Sequence, residues 1–436
     1  MWFFPHSALV SKGLPMTVAG IDFGTTNSTA GYLGTDGKPV MISLGHGGEL
    51  PTPTVLFADT QDGRIYMGDV AKSRLINGAE GRYMRSLKKY LGEPDLLTTR
   101  ITRYTYTLED LIAHFLRGVK DALEAETGKP VDAVNLGRPV RFNDDDPKLD
   151  KQGQQRLENA AKLAGFKHVR FQFEPIAAAL GYETKLDKET TVLVVDVGGG
   201  TTDYSLVRLG PDRAHAADRS QDMLGYHGVY VGGDLFDADI ITHAVTPELG
   251  RDATYHLMGK DLPWPKYIFQ SIASWAFFNR LYDGTTRKDI TDMHEASSQP
   301  IRTARLKQLL DEYLYFEFST AVENTKKDLS KAPDVTLSMP FFKSPLSQNV
   351  SRSAFDDWTA HLRARLDVAL EETLAQANLP QNRIDKVFLT GGTTLNPAVR
   401  ALFAARFGAD KLVWTDVFTS VGYGLVADAK RVGYTA

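Results

Sequence analysis

Ile21-Asp22-Phe23-Gly24-Thr25-Thr26, near the start of the chain, returns in kind as Val195-Asp196-Val197-Gly198-Gly199-Gly200-Thr201-Thr202-Asp203. Each copy is an apolar run ending in Asp, a Gly/Thr turn, and a second run that continues with polar residues. Glycine permits positive φ and a close approach of backbone to ligand, so successive N–H groups converge on an anion. Threonine hydroxyls add donors for phosphate oxygens. An Asp beside such a turn would repel phosphate if alone, so its natural partner is a divalent cation. Mg²⁺ suits the place, because it is held by few carboxylates, several waters and the substrate's own phosphates. One such turn by itself is an ordinary hairpin. Two of them, in two halves of one chain, predict a duplicated fold with a nucleotide cleft between the copies.

A third glycine site lies further on, where the apolar run Val387-Phe388-Leu389-Thr390 enters Gly391-Gly392-Thr393-Thr394 and a helix starts near Asn396-Pro397. Proline is well tolerated in a first helical turn, and the bare glycines leave room for a base or ribose against backbone. Neither G-x-x-x-x-G-K-[ST] nor a G-x-G-x-x-G after a strand occurs, which removes the main support for P-loop and Rossmann readings. Strand-like runs at Val18–Phe23, Val131–Leu136, Val169–Phe173, Val192–Val197 and Lys386–Thr390 alternate with helical ones, which predicts α/β architecture. Thr107-Leu-Glu-Asp resembles a capping box and opens a helix that stops at Gly128, and another helix runs from about Leu149 to Gly165. From about Pro247 to Lys326 the character changes. Trp264, Tyr267, Phe269, Trp275, Phe277 and Phe278 crowd a segment that becomes helical from Arg302, read as a mainly helical insertion in the second half. Its aromatics form a small local core or, across residues 255–282, a surface for a protein partner.

Acid and base nearly cancel, at a formal net charge of −4 with 24% charged residues, so no basic field is available for nucleic acid or an anionic membrane. No apolar run approaches 18 residues, and no membrane span is expected. The absence of cysteine excludes disulfides, thiolate zinc sites and Cys nucleophiles. Residues 1–15 lack the basic start and cleavage site of a signal peptide and read as a disordered leader, with a cytoplasmic protein as the default. Ser86-Leu-Lys-Lys89 matches S-x-x-K without its companion motifs, the ten histidines show no metal spacing, and Asp144–Asp146 reads as a solvated loop.

With these pieces in order, the chain resembles the Hsp70 branch of the actin, sugar-kinase and Hsp70 superfamily from about Val18 to Ala429. Gly20-Ile-Asp-Phe-Gly-Thr-Thr-Asn-Ser28 and Asp196–Asp203 look like the two phosphate loops. Phe142-Asn143-Asp144, Glu174-Pro-Ile-Ala-Ala-Ala179 and Gly422-Tyr-Gly424 look like the segments of two connecting helices. The resemblance implies a duplicated, actin-like (ribonuclease H-like) ATPase fold of two lobes around a nucleotide cleft, with the insertion in the second lobe. Lobe I would take residues 16–190 (its outer part about 45–125), lobe II 191–410 (its helical insertion about 240–325), and 411–436 a segment whose helix returns to lobe I. The implied ligands are ATP or ADP with Mg²⁺. Asp22, Glu174 and Asp196 would hold the metal, largely through its waters. Gly24, Thr25, Thr26 and Asn27 would meet the β- and γ-phosphates, and Gly198, Gly199, Gly200 and Thr201 would cradle the γ-phosphate. Lys88 would neutralise that phosphate and orient the attacking water, with Asp203 or Asp196 taking its proton. Gly232, Gly233, Asp234, Gly391, Gly392 and Thr393 would contact the nucleotide.

Two departures accompany the resemblance. The family stacks adenine between two arginines, whereas Glu323-Asn-Thr-Lys-Lys-Asp-Leu-Ser330 puts Lys327 at one place and Leu395 stands at the other. Only guanidinium offers a planar face, so an aliphatic stem and a Leu would sandwich the base differently. The family's peptide-binding domain would follow Gly424, where twelve residues remain, so peptide binding is not expected of this chain. The leading expectation is a slow ATPase that works as a conformational switch. A small-molecule kinase on the same fold, a non-hydrolysing nucleotide sensor or scaffold, and an actin-like filament former remain open.

Overall fold

The computed structural model describes residues 17–431 apart from 95–97, 102, 144–145, 184–185, 214–218 and 415–419. The expected leader, Asp144 and the side chain of Trp275 lie outside the described residues.

The first sheet is built from β1 (Val18–Phe23), β2 (Asn27–Leu33), β3 (Pro39–Met41), β4 (Ala133–Arg138) and β5 (His168–Phe173), in the order β5-β4-β1-β2-β3, with Thr52–Pro53 added beside β2. The second contains β6 (Thr190–Val197), β7 (Thr202–Leu209), β8 (Met223–Val229), β9 (Lys386–Thr390) and β10 (Leu412–Trp414), in the order β8-β7-β6-β9-β10. The pairings repeat. β1 and β6 each form an antiparallel hairpin with the next strand and a parallel pair with a strand much later in the chain. The Asp-Gly/Thr turns therefore occupy the same place in two copies of one topology. The structure shows the two-lobed α/β fold that the repeat predicts.

Parallel pairs buried on both faces explain the apolar runs. Along β6, Leu193, Val195 and Val197 enter the main lobe II core, while Val192 and Val194 pack with Ile176, Ala179 and Leu180 on the other face. These last residues belong to the third of six helices that matter here. The set is α1 (Leu108–Thr127), α2 (Pro147–Leu163), α3 (Glu174–Glu183), α4 (Gly233–Ile240), α5 (Tyr315–Leu329) and α6 (Ser420–Arg431). The Thr107 hydroxyl accepts from the Asp110 amide and the Asp110 carboxylate accepts from the Thr107 amide, completing the capping box, and Gly128 ends α1 with φ of 64°. α2 starts two residues before its expected start, because Asp146 caps it and Pro147 fits its first turn.

α3 and α6 cross between the lobes through Ala177, Ala178, Val421 and Leu425. A Cβ on Gly424 would lie 1.8 Å from the Ala177 carbonyl oxygen, so only glycine allows this approach. Gly424→Ala gains about 1 kcal/mol of helix propensity but forces two backbones apart at roughly 1–3 kcal/mol. The expected net loss of about 1 kcal/mol is read as a lower urea midpoint. An equal or higher midpoint would contradict this packing.

The insertion is mainly helical, with a correction. Thr254–Leu257 and Lys260–Pro263 form a hairpin that was not expected, turning through Met258 and Gly259 at φ of 48° and 78°. Such turns ordinarily take Asn, Asp or Gly first, and Met258 hides the signal. Trp264, Phe269 and Phe278 are buried in a core continuous with lobe II rather than in a separate local one, while Tyr267 and Phe277 stand exposed. No described helix is long and apolar enough to cross a membrane.

Candidate functional site

The first turn links β1 to β2, and Thr26 is pinned to lobe I where its carbonyl accepts from the Thr54 amide at 2.8 Å. Asn27 opens β2 opposite Pro53. The second turn is closed by Gly198 N–H donating to the Thr201 carbonyl at 2.9 Å. The two turns face each other closely, since a Cβ on Gly199 would come within 2.4 Å of the Thr26 hydroxyl. Gly200 has nothing within 4 Å of its missing Cβ and presents open backbone.

The later glycine sites close around the second turn. α4 begins at Gly233, and the amides of Gly233 and Asp234 donate to the Gly198 and Gly199 carbonyls at 3.0 and 2.7 Å. The Thr393 hydroxyl donates to the Gly198 carbonyl at 2.9 Å. Gly391, at φ of 81°, leads into the Gly392–Leu395 turn, and a Cβ there would strike the Val197 carbonyl and the Asp196 carboxylate at 2.3 and 2.5 Å. Sites more than 190 residues apart in sequence thus share one wall.

Charge gathers beneath the turns. Lys88, almost wholly buried in the Leu87–Tyr90 turn, donates to Glu174 Oε1 at 2.6 Å. Burial, with repulsion from Glu174 and Asp196 and partial relief from Lys88, pushes the Asp22 carboxyl up to about 7. Burial and the neighbouring Glu174 raise Asp196 to about 6, again against Lys88. Burial alone would lower Lys88, but Glu174, Asp22 and Asp203 outweigh it and hold the ammonium above its ordinary value. Asp196 and Asp203 stand opposite each other on β6 and β7, and both line a cavity with Pro139, Glu174, Ser205 and Thr390. The surplus negative charge fits a divalent cation. Among the described residues no group of three or more His, Asp or Glu is gathered as direct metal ligands.

Other expected residues sit further out. Glu323 and Lys327 pair with each other at 2.7 Å on an exposed part of α5, and Leu395 is part-exposed beyond Thr393. Half-exposed Asp234 faces Arg85 of lobe I at 3.6 Å. The lysine that α5 turns inward is Lys326, which the sequence reading missed. Its Nζ donates to the Gly233 carbonyl at 3.1 Å and to Asp237 at 2.7 Å. Burial, against the opposing pull of Lys326, raises Asp237 to about 6. Positions i+3 and i+4 both lie on the face of Glu323, so helical spacing alone does not choose between the two lysines.

A family model described as Hsp70 protein matches residues 18–258 and 301–426, leaving out 259–300, the centre of the insertion. The matched stretches contain both phosphate-type turns, the Lys88–Glu174 pair, α5 and the crossing of α3 with α6, so the chain belongs to the Hsp70 protein family.

Proposed function

We propose that this ATP-binding, Hsp70-like chain takes ATP with Mg²⁺ into the cleft, transfers the γ-phosphoryl group slowly to water, and uses the two states as a conformational switch. The observation that supports this best is the meeting of Asp22, Glu174, Asp196 and Lys88 beneath two facing phosphate-type turns. Asp22, Glu174 and Asp196 would hold Mg²⁺ through its waters, and the bound ion would neutralise phosphate charge. Thr25, Thr26 and the open backbone of Gly198–Thr201 would fix the phosphates. Lys88 would leave part of its bond with Glu174 to meet the charge on the γ-phosphoryl oxygens. Asp203, opposite Asp196, would take the proton of the attacking water. Phosphoryl transfer is mostly positioning and charge stabilisation, which is what these residues supply. Thr26 belongs to one lobe and Gly199 to the other, so a phosphate held by both turns would tie the lobes together, and its release would loosen them.

A phosphate-release assay with radiolabelled ATP, water and no other acceptor tests this reading. Stoichiometric inorganic phosphate is expected. In a parallel assay with an added hydroxyl compound, label transferred to that compound would favour a small-molecule kinase, and binding without turnover in either assay would favour a sensor or scaffold.

Lys326 gives a smaller prediction. Lys326→Met removes the donor that ties α5 to Gly233, a contact worth about 0.5–1.5 kcal/mol. ATP affinity is expected to fall roughly threefold to tenfold in equilibrium titration. Unchanged affinity would place the nucleotide away from the Gly232-Gly233 turn.

A further inference from the structure

Arg156, in the middle of α2, is 4% exposed, a depth that guanidinium groups reach only with partners supplied. Its Nη1 donates to the Leu91 carbonyl at 2.9 Å and to the Glu93 carbonyl at 2.7 Å, and its Nε lies 3.9 Å from Glu109 at the start of α1. The carbonyl between them, that of Gly92, accepts from Asn143 Nδ2 at 3.0 Å. Three consecutive carbonyls of one largely buried connection are thus held by side chains from α2 and the loop before it. These carbonyls follow directly on the Leu87–Tyr90 turn that carries Lys88, and the Leu91 amide donates to the Lys88 carbonyl at 3.2 Å. The turn starts at Ser86 with φ of 59°, a conformation that a residue with a side chain keeps only when its surroundings impose it.

We propose that Arg156 is a positioning residue for Lys88, holding the 91–93 backbone against α2 so that the Lys88 ammonium stays beneath the phosphate turns. The inference rests on the hydrolytic reading of Lys88 given above. Arg156 touches neither nucleotide nor metal in this account. Its effect is on where Lys88 stands, and displacement of a catalytic group by about 1 Å costs up to about a hundredfold in rate.

The test is a double-mutant cycle with ATP affinity and single-turnover hydrolysis measured on each folded full chain: wild type, Arg156→Ala, Lys88→Ala and the double variant. Arg156→Lys, which keeps a cation of different shape, runs beside them and carries the cycle if Arg156→Ala does not fold. Arg156→Ala is expected to keep ATP within about threefold of wild type and to lose roughly tenfold in hydrolysis, with Arg156→Lys losing less. In the Lys88→Ala background, changing Arg156 is expected to cost nothing further. An equal loss in both backgrounds would make Arg156 a structural residue only and overturn the proposal, as would wild-type hydrolysis in Arg156→Ala. If Lys88→Ala itself hydrolyses normally, the reading of Lys88 fails first and the proposal falls with it.

Discussion

Lys88→Ala is expected to keep ATP within about tenfold of wild-type affinity while single-turnover hydrolysis falls by roughly 10²-fold or more, the scale of losing one oriented electrostatic donor. Under the proposed reading binding and chemistry separate, because Thr25, Thr26 and the Gly198–Thr201 backbone would still hold the phosphates, and only charge that develops in the transition state would lose its partner. Removing the ammonium also leaves Glu174 without its 2.6 Å partner beside two carboxyls already raised by burial and by Glu174 itself. Lys89→Ala is the comparison, since Lys89 lies 5.2 Å from the ring of Tyr230 in lobe II and not on Glu174. It is expected to leave the chemical step within about threefold of wild type. Sensitivity at Lys89 with none at Lys88 would mean that the wrong lysine had been assigned.

Asp22→Asn and Asp196→Asn are each expected to weaken magnesium-dependent nucleotide binding or turnover by about 1.5–3 kcal/mol, the worth of a charge-assisted contact. On a rate or affinity scale this is on the order of 10- to 150-fold, read across a magnesium titration. Wild-type behaviour of both variants would show that the cleft has been misassigned. Asp22 offers a second readout without nucleotide. Its carboxyl goes from the ordinary 3.8 to about 7 in the fold, mainly through burial. The folded state therefore holds a proton that the unfolded chain has lost, and stability contributed by the protonated form declines as pH rises between these values. Asn mimics that protonated form. At pH 8, free of nucleotide and magnesium, Asp22→Asn is expected to melt above wild type, and the difference should close as the pH falls below about 4. A lower melting temperature at pH 8 would contradict the electrostatics described for the site.

What was legible in the sequence were the features written locally. β1 and β9 keep their expected bounds because apolar runs there end at Gly turns, and the capping box stands on reciprocal bonds between two residues only three positions apart, Thr107 and Asp110. The repeat of Asp with Gly/Thr turns carried the duplicated topology, since the same hairpin begins each sheet. The hairpin at Met258-Gly259 was not legible, because its left-handed first turn position holds an exposed Met where Asn, Asp or Gly would have signalled the turn. Lys326 and Arg156 were hidden for a different reason. Each takes its meaning from backbone carbonyls supplied by another element, 93 residues away for Lys326 and 65 for Arg156.

The most direct measurement is a calorimetric titration of ATP into the chain, once with Mg²⁺ and once with a chelator, followed by phosphate release on the same samples. The account predicts one site whose tight binding requires magnesium, and slow formation of inorganic phosphate with water as the acceptor. Absence of binding, or binding indifferent to magnesium with no phosphate released, would contradict it.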